Sequence, residues 1–236
     1  MVISPRRYVS KATKPRKENK VGRTHDFFLA LLVRMITLYG ISSSRASRNM
    51  WMLNELALDY ENILVSDRNG ETRNPEFIKL NPNGKVPLLV DGETRLFESI
   101  AINLHLANKY KGDLWYEDMD SQGTVMQWSI WAMMEFDEGI MRVLMAENES
   151  QRHRAFANLH LAAKVLDDHL QDKNYLIENR FSAADLNAAA CFSGGAFMNY
   201  NFHEFSNLSK WLKRCYSRPG VDIEGSSLIR FRNLLV

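Results

Sequence analysis

The chain has 236 residues, 45% of them hydrophobic and 25% charged, which is typical of a globular protein long enough for two domains. Residues 1–34 hold nine of the 30 basic and two of the 28 acidic side chains, so residues 35–236 carry 21 basic and 26 acidic ones, a net charge of −5. This balance argues against a surface that binds nucleic acid.

The longest apolar run has seven residues, far fewer than the roughly 20 that span a membrane. The two cysteines form no CxxC pair and favour a reducing, cytoplasmic compartment over a disulfide scaffold.

The leader, residues 1–34, is basic and has no hydrophobic periodicity, so we expect disorder over residues 1–24. A targeting peptide lacks support because there is no clear amphipathic stripe, and a secretory signal lacks support because the apolar run is short and late. The third interpretation is an upstream extension read from an early start codon. We favour it, since Met35 lies directly before the first predicted strand and is a suitable working start.

The next segment predicts a βαβ unit. Residues 35–39 form a short apolar run that ends at Gly40, as expected for a buried strand. A helix follows, with Ser44 where such a helix would start. Residues 60–65 are the second strand, so the crossover between the two strands should be right-handed. The apolar stripe of the helix consists of Met50, Leu53, Leu56 and Ala57.

A ββα unit comes next, after a polar segment for which no regular element is predicted. Residues 86–90 are the third strand, Asp91-Gly92 is a hairpin signal, and residues 95–97 are the returning strand. A helix is predicted over residues 99–110. The first domain therefore spans residues 35–112.

The second domain, residues 120–236, has no convincing strand pattern. Helices are predicted over residues 122–147, 151–171, 182–199 and 206–217. The third of these helices has a clear start. Ser182 is its N-cap, Asp185 is its third helical residue, and Phe181 and Leu186 are placed to form a hydrophobic staple, so this motif is a folding device. An α/β domain followed by an all-α domain is the predicted architecture.

Several short motifs carry a family resemblance. They are Leu38-Tyr39-Gly40, Ser44-Arg45-Ala46-Ser47-Arg48, Asn81-Pro82-Asn83-Gly84-Lys85-Val86-Pro87, Phe97-Glu98-Ser99 and Phe181-Ser182-x-x-Asp185. In this order, over residues 35–220, they resemble the serine-type glutathione transferases, in particular bacterial theta- or nu-like members. One departure is that many relatives carry a proline shortly after the Tyr-Gly pair, where this chain has Ile41-Ser42.

The resemblance implies an α/β thioredoxin-like N-terminal domain (βαβ-ββα) followed by an all-α helical C-terminal domain. It implies a homodimeric transferase that takes glutathione as co-substrate, activates its thiol as the thiolate and conjugates it to a small hydrophobic electrophile. Two alternatives stay open: a glutathione-dependent isomerase, dehalogenase or peroxidase on the same site, and a non-catalytic interaction module. The joint presence of Ser44, Lys85, Glu98 and Ser99 argues against the module.

By the same resemblance, Ser44 is the catalytic residue, four positions before Arg48. Its hydroxyl would donate a hydrogen bond to the glutathione sulfur, and the positive end of the helix dipole would also favour the thiolate. Ser44 could instead only cap the helix. Ser42 and Ser43 are the other candidates, and Tyr39 is a further one because other classes of the family use tyrosine.

Four residues are implied to bind glutathione. Val86, before a cis Pro87, would pair its backbone with the cysteinyl part, like an added strand. Ser99 and the free N–H groups beside it suit the γ-glutamyl carboxylate. The Glu98 carboxylate suits the α-amino group, and Lys85 is placed to meet the glycyl carboxylate. Each residue also has a plainer interpretation. Pro87 could be an ordinary edge-strand proline, Glu98 and Ser99 could only cap the helix, and Lys85 could only be solvated.

The helix over residues 122–147 is rich in large apolar side chains, some of which are expected to line a pocket for the second substrate and most to be core. These side chains are Trp128, Trp131, Met133, Met134 and Phe136. The histidines lie scattered without partners, so no metal site is predicted. Cys191, in an alanine-rich segment, is expected to be a buried structural thiol.

Overall fold

A computed structural model describes residues 7–10, 35–198 and 200–235 of the chain. Its sheet has five strands in the order β1-β3-β2-β4-β5. These strands are β1 (Arg7–Ser10), β2 (Ile36–Tyr39), β3 (Tyr60–Ile63), β4 (Leu88–Asp91) and β5 (Thr94–Phe97). Only β2 and β3 pair in parallel, since they are joined by a helix, and the other neighbours pair antiparallel.

The α/β part confirms the predicted βαβ-ββα order. Helix α1 (Ala46–Glu55) connects the parallel strands, and helix α3 (Ser99–Tyr110) follows the β4–β5 hairpin with the predicted bounds. Between them lies a short helix that was not predicted, α2 (Pro75–Leu80). It begins because the Asn74 side chain accepts a hydrogen bond from Glu76 N and because proline suits the first helical position.

Strand β1 differs from the sequence-based expectation. Disorder was expected over residues 1–24, yet Arg7–Ser10 pairs antiparallel with β3, with Arg7 opposite Ile63 and Ser10 opposite Tyr60. A four-residue edge strand is stabilised by its ladder with a neighbour rather than by its own periodicity, so no local pattern predicts it. The expectations for residues 1–6 and 11–34 lie outside the described residues.

In residues 119–198 and 200–235 the regular elements are all helical, as predicted. They are α4 (Met119–Trp131), a π-helical turn (Ala132–Asp137), α5 (Glu138–Leu144), α6 (Glu149–His169), α7 (Ala183–Phe192), α8 (Ser206–Tyr216) and α9 (Ser227–Leu234), with short 3₁₀ turns at Ser193–Phe197 and Pro219–Val221. The segment from α4 to α5 is one helical path, as expected for residues 122–147. Helix α9 was not predicted. No helix within the described ranges has the length and apolarity to cross a membrane.

Helix α7 is buried along its whole length and joins the two halves of the molecule. Its start shows the predicted folding device, because Ser182 N donates to Asp185 Oδ2 at 3.0 Å.

Three asparagines link α1, α3 and α7 in a buried chain. Asn49 Nδ2 donates to Asn103 Oδ1 at 2.7 Å, and Asn103 Nδ2 donates to Asn187 Oδ1 at 2.8 Å. Buried amides that are hydrogen-bonded to one another in this way fix the register of three helices, and so hold the sheet against the helical half.

Candidate functional site

Two neighbouring cavities lie where the end of the sheet meets the π-helical turn and α5. The sheet-end groove, about 420 Å³, is lined by Lys85, Val86, Phe97, Glu98, Ser99, Met133, Met134 and Arg142, among others. The helical cleft, about 370 Å³, is lined by Ser43, Ser44, Val86, Asp137, Ile140, Met141, Leu144 and Phe197, among others. The structure therefore brings the four predicted binding residues into one groove and places Ser44 in the adjoining cleft.

The turn before β4 positions Lys85 and Val86. Asn81, which is buried, donates from Nδ2 to Lys85 O at 2.7 Å and accepts from Asn83 N at 3.1 Å. These bonds tie both ends of the turn to one side chain. The Val86–Pro87 peptide bond is cis, as the sequence predicts. Lys85 is exposed at the mouth of the groove, and Val86 lines both cavities.

Glu98 and Ser99 form an unusual junction between β5 and α3. Glu98 has φ 72° and ψ 114°, a region that residues other than glycine rarely adopt and that is found mainly at functional sites. Ser99 is 2% exposed, and its Oγ has no hydrogen-bond partner among the described residues. An unpaired buried hydroxyl carries a desolvation penalty of about 1 to 3 kcal/mol, which a bound polar group would remove.

Ser44 closes a tight turn before α1. Its Oγ donates to Ile41 O at 2.7 Å and accepts from Ala46 N at 3.2 Å, so the hydroxyl proton is engaged within the turn. Ser43 lines the same cleft, whereas Ser42 is not among the cleft-lining residues. The alternative Tyr39 packs edge-on against the Phe77 ring, 6.1 Å away, and is not among the residues lining either cavity.

A charged cluster that the sequence reasoning missed lies at the floor of the cleft. Asp137 Oδ2 accepts from Arg45 Nη2 at 2.5 Å and from Arg45 Nε at 3.1 Å, while Asp137 Oδ1 accepts from Arg48 Nη2. Burial alone would raise the pKa of Asp137, but Arg48 and Arg45 outweigh it and hold the pKa below its usual range. The sequence offered little signal, because Asp137 lies between two other carboxylates, Glu135 and Glu138, and is 89 positions from Arg48.

The helical cleft has an apolar wall on one side. This wall is formed by Ile140, Met141, Leu144 and Phe197, which follow the π-helical turn or come from the 3₁₀ turn after α7. Two of the aromatic residues of the helical path are buried elsewhere, in agreement with the expectation that most of this set is core. Trp128 packs against Trp131 and the His169 ring, and Phe136 is stacked on Phe192 in the core. Met133 and Met134 line the sheet-end groove instead.

Neither a reactive cysteine nor a cluster of metal-ligating side chains is found among the described residues. Cys191 and Cys215 are free and buried, and burial raises the pKa of Cys191 to about 11, which confirms the expected structural thiol. Within the described ranges, no three His, Cys, Asp or Glu side chains cluster in an arrangement that could hold a metal ion.

Known proteins resemble this chain in both sequence and structure. Two family models match the chain: "Glutathione S-transferase, N-terminal domain" over residues 34–108 and "Glutathione S-transferase, C-terminal domain" over residues 127–219. The chain is 30% identical to glutathione S-transferase GstB of Escherichia coli, covering 79% of this chain and 96% of that protein. It is also 30% identical to glutathione S-transferase 2 of Schizosaccharomyces pombe, covering 78% and 92%.

A solved structure shares the fold. It is a glutathione transferase from Burkholderia graminis with two glutathione molecules bound per subunit, 25% identical, with a TM-score of 0.70. The superposition covers 80% of this chain and 86% of that one. The helical half and the α/β half are thus arranged in the same way in both proteins.

Proposed function

This chain belongs to the glutathione S-transferase family, and from that premise we propose that it conjugates glutathione to a small hydrophobic electrophile. Residues 35–112 would be the glutathione-binding domain and residues 120–236 the helical domain that holds the second substrate. The observation that carries the proposal is the single groove formed by Lys85, Val86, Glu98 and Ser99, opening beside Ser44. We also place the protein in the cytoplasm, since both its thiols are free.

Each part of glutathione has a chemical counterpart in the sheet-end groove. The unpaired Ser99 Oγ and the amino end of α3 suit the γ-glutamyl carboxylate, and the exposed Glu98 carboxylate suits its α-ammonium group. The Val86 backbone suits the cysteinyl part and the Lys85 ammonium suits the glycyl carboxylate. A glutathione bound in this direction places its sulfur at Val86, where the groove meets the helical cleft.

Ser44 is proposed to stabilise the thiolate, which makes this a serine-type enzyme. A thiol with a pKa near 8.5 needs about 2.7 kcal/mol of preferential stabilisation of the anion to lower its pKa by two units. A hydroxyl hydrogen bond supplies part of this, once the Ser44 proton turns from Ile41 O toward the sulfur. The dipole of α1 supplies more.

The helical cleft is proposed to hold the electrophile. Its apolar wall of Ile140, Met141, Leu144 and Phe197 excludes water from one side of the sulfur position. The volume of about 370 Å³ suits a small aromatic or alkyl compound.

Ser44→Ala tests the proposal. In the wild type, calorimetry should show micromolar-to-millimolar glutathione binding, and thiolate absorbance against pH should give a thiol pKa well below 8.5. In Ser44→Ala we expect the pKa to return toward 8.5 and the conjugation of chlorodinitrobenzene at neutral pH to slow about 10- to 100-fold.

Ser42→Ala is the matched control, because Ser42 is not among the cleft-lining residues, and it should behave as wild type. An unshifted thiol pKa in the wild-type complex would contradict activation by this site. Absence of glutathione binding would favour the non-catalytic interaction module. A lowered thiol pKa without conjugation of chlorodinitrobenzene, but with turnover of a peroxide or a haloalkane, would favour the related glutathione-dependent reactions.

We further propose a homodimer built on an apolar stripe, defined as Phe97, Met126, Ile130 and Met134. These side chains are 40–56% exposed, and the last three follow one another at intervals of four residues along the helical path. Phe97 joins them because it lines the same groove as Met134. A self-complementary patch of this kind suits a two-fold interface.

Ile130→Glu should convert the dimer to a monomer, because each copy would bury an unpaired carboxylate in the interface. Sedimentation velocity of the full chain measures this directly. Leu161→Glu makes the same change on α6, at a residue that is 61% exposed and lies outside the stripe, and should leave the dimer intact. Wild-type protein that sediments as a monomer, or an Ile130→Glu variant that stays dimeric, would refute this interface.

A further inference from the structure

Arg68 lines the helical cleft from the turn that follows β3. It shares this cavity of about 370 Å³ with the apolar wall formed by Ile140, Met141, Leu144 and Phe197. Arg68 is exposed, so its guanidinium is accessible to a small molecule that enters the cleft. The cleft therefore offers an apolar surface and a cation to the same ligand.

Hydrogen bonds within the turn hold the backbone of Arg68 in place. The buried Ser66 donates from its N–H to Glu71 Oε2 at 2.9 Å, and its Oγ accepts from Arg68 N at 3.2 Å. Asn69 Oδ1 accepts from Glu71 N at 3.2 Å. Gly70, with φ 80°, adopts the left-handed conformation that favours glycine. The turn is thus closed from Ser66 to Glu71, and it presents the Arg68 side chain from a fixed position.

The charge of Arg68 is not balanced by a partner. Its guanidinium makes no hydrogen bond or ion pair with any described residue. The other two arginines of the cleft, Arg45 and Arg48, are both bound to Asp137. Asp67 also lines the cleft but forms no ion pair with Arg68. Three arginines and two aspartates line the cleft, which gives a net charge of +1.

We propose that the electrophile carries an anionic group, such as a carboxylate, on its apolar body, and that Arg68 is the specificity-determining residue that binds this group. The proposal rests on the proposed function, because it takes the helical cleft as the electrophile site. A guanidinium presents parallel N–H groups that match the two oxygens of a carboxylate. The apolar wall excludes water from one side of the cleft, which strengthens the attraction between the two charges.

Asp67 acts against this preference, because its carboxylate repels an anionic ligand. The arginine side chain is the longer of the two, so the guanidinium extends farther from the turn than the Asp67 carboxylate does. Asp67→Asn should therefore raise the preference for an anionic electrophile. A preference for a cationic electrophile that disappears in Asp67→Asn would overturn the proposal.

The test compares 4-chloro-3,5-dinitrobenzoate with its neutral amide of the same shape, 4-chloro-3,5-dinitrobenzamide. In both reactions the glutathione sulfur bonds to the ring carbon, chloride leaves with the electron pair of the C–Cl bond, and the thiol proton passes to solvent. The kcat/KM of each substrate is divided by its uncatalysed rate constant, and the ratio of the two quotients is the anion preference. In the wild type we expect about a tenfold preference, mainly through a lower KM, because the charge-assisted contact is present before and during the reaction.

Arg68→Gln should abolish the anion preference, and Arg68→Lys should retain part of it, because lysine keeps the charge but loses the fork. Arg152→Gln is the matched control. It removes an arginine on α6 that is 46% exposed and is not among the cleft-lining residues, so the preference should stay at the wild-type value. Salt at about 1 M should reduce the wild-type preference, because it screens an exposed ion pair. A general loss of activity lowers both rates and leaves the ratio unchanged.

Binding of product analogues separates a failure of this proposal from a failure of the proposed function. In calorimetry, the wild type should bind S-(4-carboxybenzyl)glutathione about tenfold more tightly than S-(4-carbamoylbenzyl)glutathione, and Arg68→Gln should bind the two about equally. A wild-type preference in Arg68→Gln, in turnover and in binding, would overturn the role of Arg68 and leave conjugation of chlorodinitrobenzene untouched. An Arg68-dependent preference in binding without any conjugation would support anion binding by Arg68 and refute the proposed reaction. Binding of neither analogue would refute both.

Discussion

Replacing Asp137 with asparagine is expected to lower the free energy of unfolding by about 3 to 5 kcal/mol, because Arg48 would then be buried without an anionic partner. Arg48 and Asp137 are each 5% exposed, and Arg48 Nη1 already lacks a hydrogen bond among the described residues. The pair joins α1 to the π-helical turn, so its loss also loosens the two halves of the molecule. Urea denaturation at a fixed protein concentration measures the change, because the stability of the proposed dimer would depend on concentration.

A double variant, Asp137→Leu with Arg48→Met, is the control for the buried charge. It removes both charges and keeps apolar volume, so it should recover most of the stability lost in Asp137→Asn. Arg45→Gln should change the stability by less than about 1 kcal/mol, because Arg45 is half exposed. If the free energy of unfolding of Asp137→Asn were within about 1 kcal/mol of the wild-type value, the Arg48 charge would have to be compensated in another way.

The same ion pairs give the stability a defined pH dependence. The pKa of Asp137 is lower in the folded chain than the value near 3.9 expected for the unfolded one. The folded state therefore binds fewer protons in this range, and the stabilisation is fully present above about pH 4 and lost as the pH falls through the folded-state pKa. The stability difference between wild type and Asp137→Asn should stay constant from about pH 5 to 8 and shrink below about pH 4.

The sequence predicts the elements around the sheet-end groove well because each has a local physical cause. Hydrophobic runs mark β2 and β3, the Asp91-Gly92 turn marks the hairpin, and the start of α3 at Ser99 follows directly from the end of β5. The motif order then brings Lys85, Val86, Glu98 and Ser99 together. Helix α2 was missed although Asn74-Pro75 is a recognisable start signal, because six residues are too few for one apolar pair, Phe77 and Leu80, to establish a helical period.

The cleft was predicted less well because its lining depends on a helix irregularity. The π-helical turn at Ala132–Asp137 has more residues per turn than an α-helix. The residues that follow it therefore face a different direction from the one that a regular α-helix would give them. Ile140, Met141 and Leu144 therefore line the cleft, whereas Trp128 stays in the core. The same turn carries Asp137 to Arg45 and Arg48. A regular 3.6-residue period cannot indicate this, and contacts between residues some 90 positions apart leave no local pattern.

Replacing Asp185 with alanine should also lower the free energy of unfolding by about 3 to 5 kcal/mol. Its carboxylate is fully buried and accepts four hydrogen bonds, from Leu176 N at 2.8 Å, Trp211 Nε1 at 2.9 Å, and Ser182 N and Oγ at 3.0 Å each. Removing it leaves buried donors unpaired, at about 1 to 3 kcal/mol each when no water replaces the carboxylate. The cap of α7, the helix that joins both halves, would be lost at the same time.

Ser182→Ala is the matched control, because it removes one hydroxyl from the same cap and should lower the stability by only about 1 kcal/mol. Urea denaturation is best carried out near pH 7.5, above the pKa of about 6 to which burial raises Asp185, so that the wild-type carboxylate is ionised. A cost for Asp185→Ala no larger than that for Ser182→Ala would mean that water enters the site and satisfies the donors. A loss of about 3 to 5 kcal/mol would instead show that Asp185 does more than cap α7, because it also anchors Leu176 and Trp211 to the start of that helix.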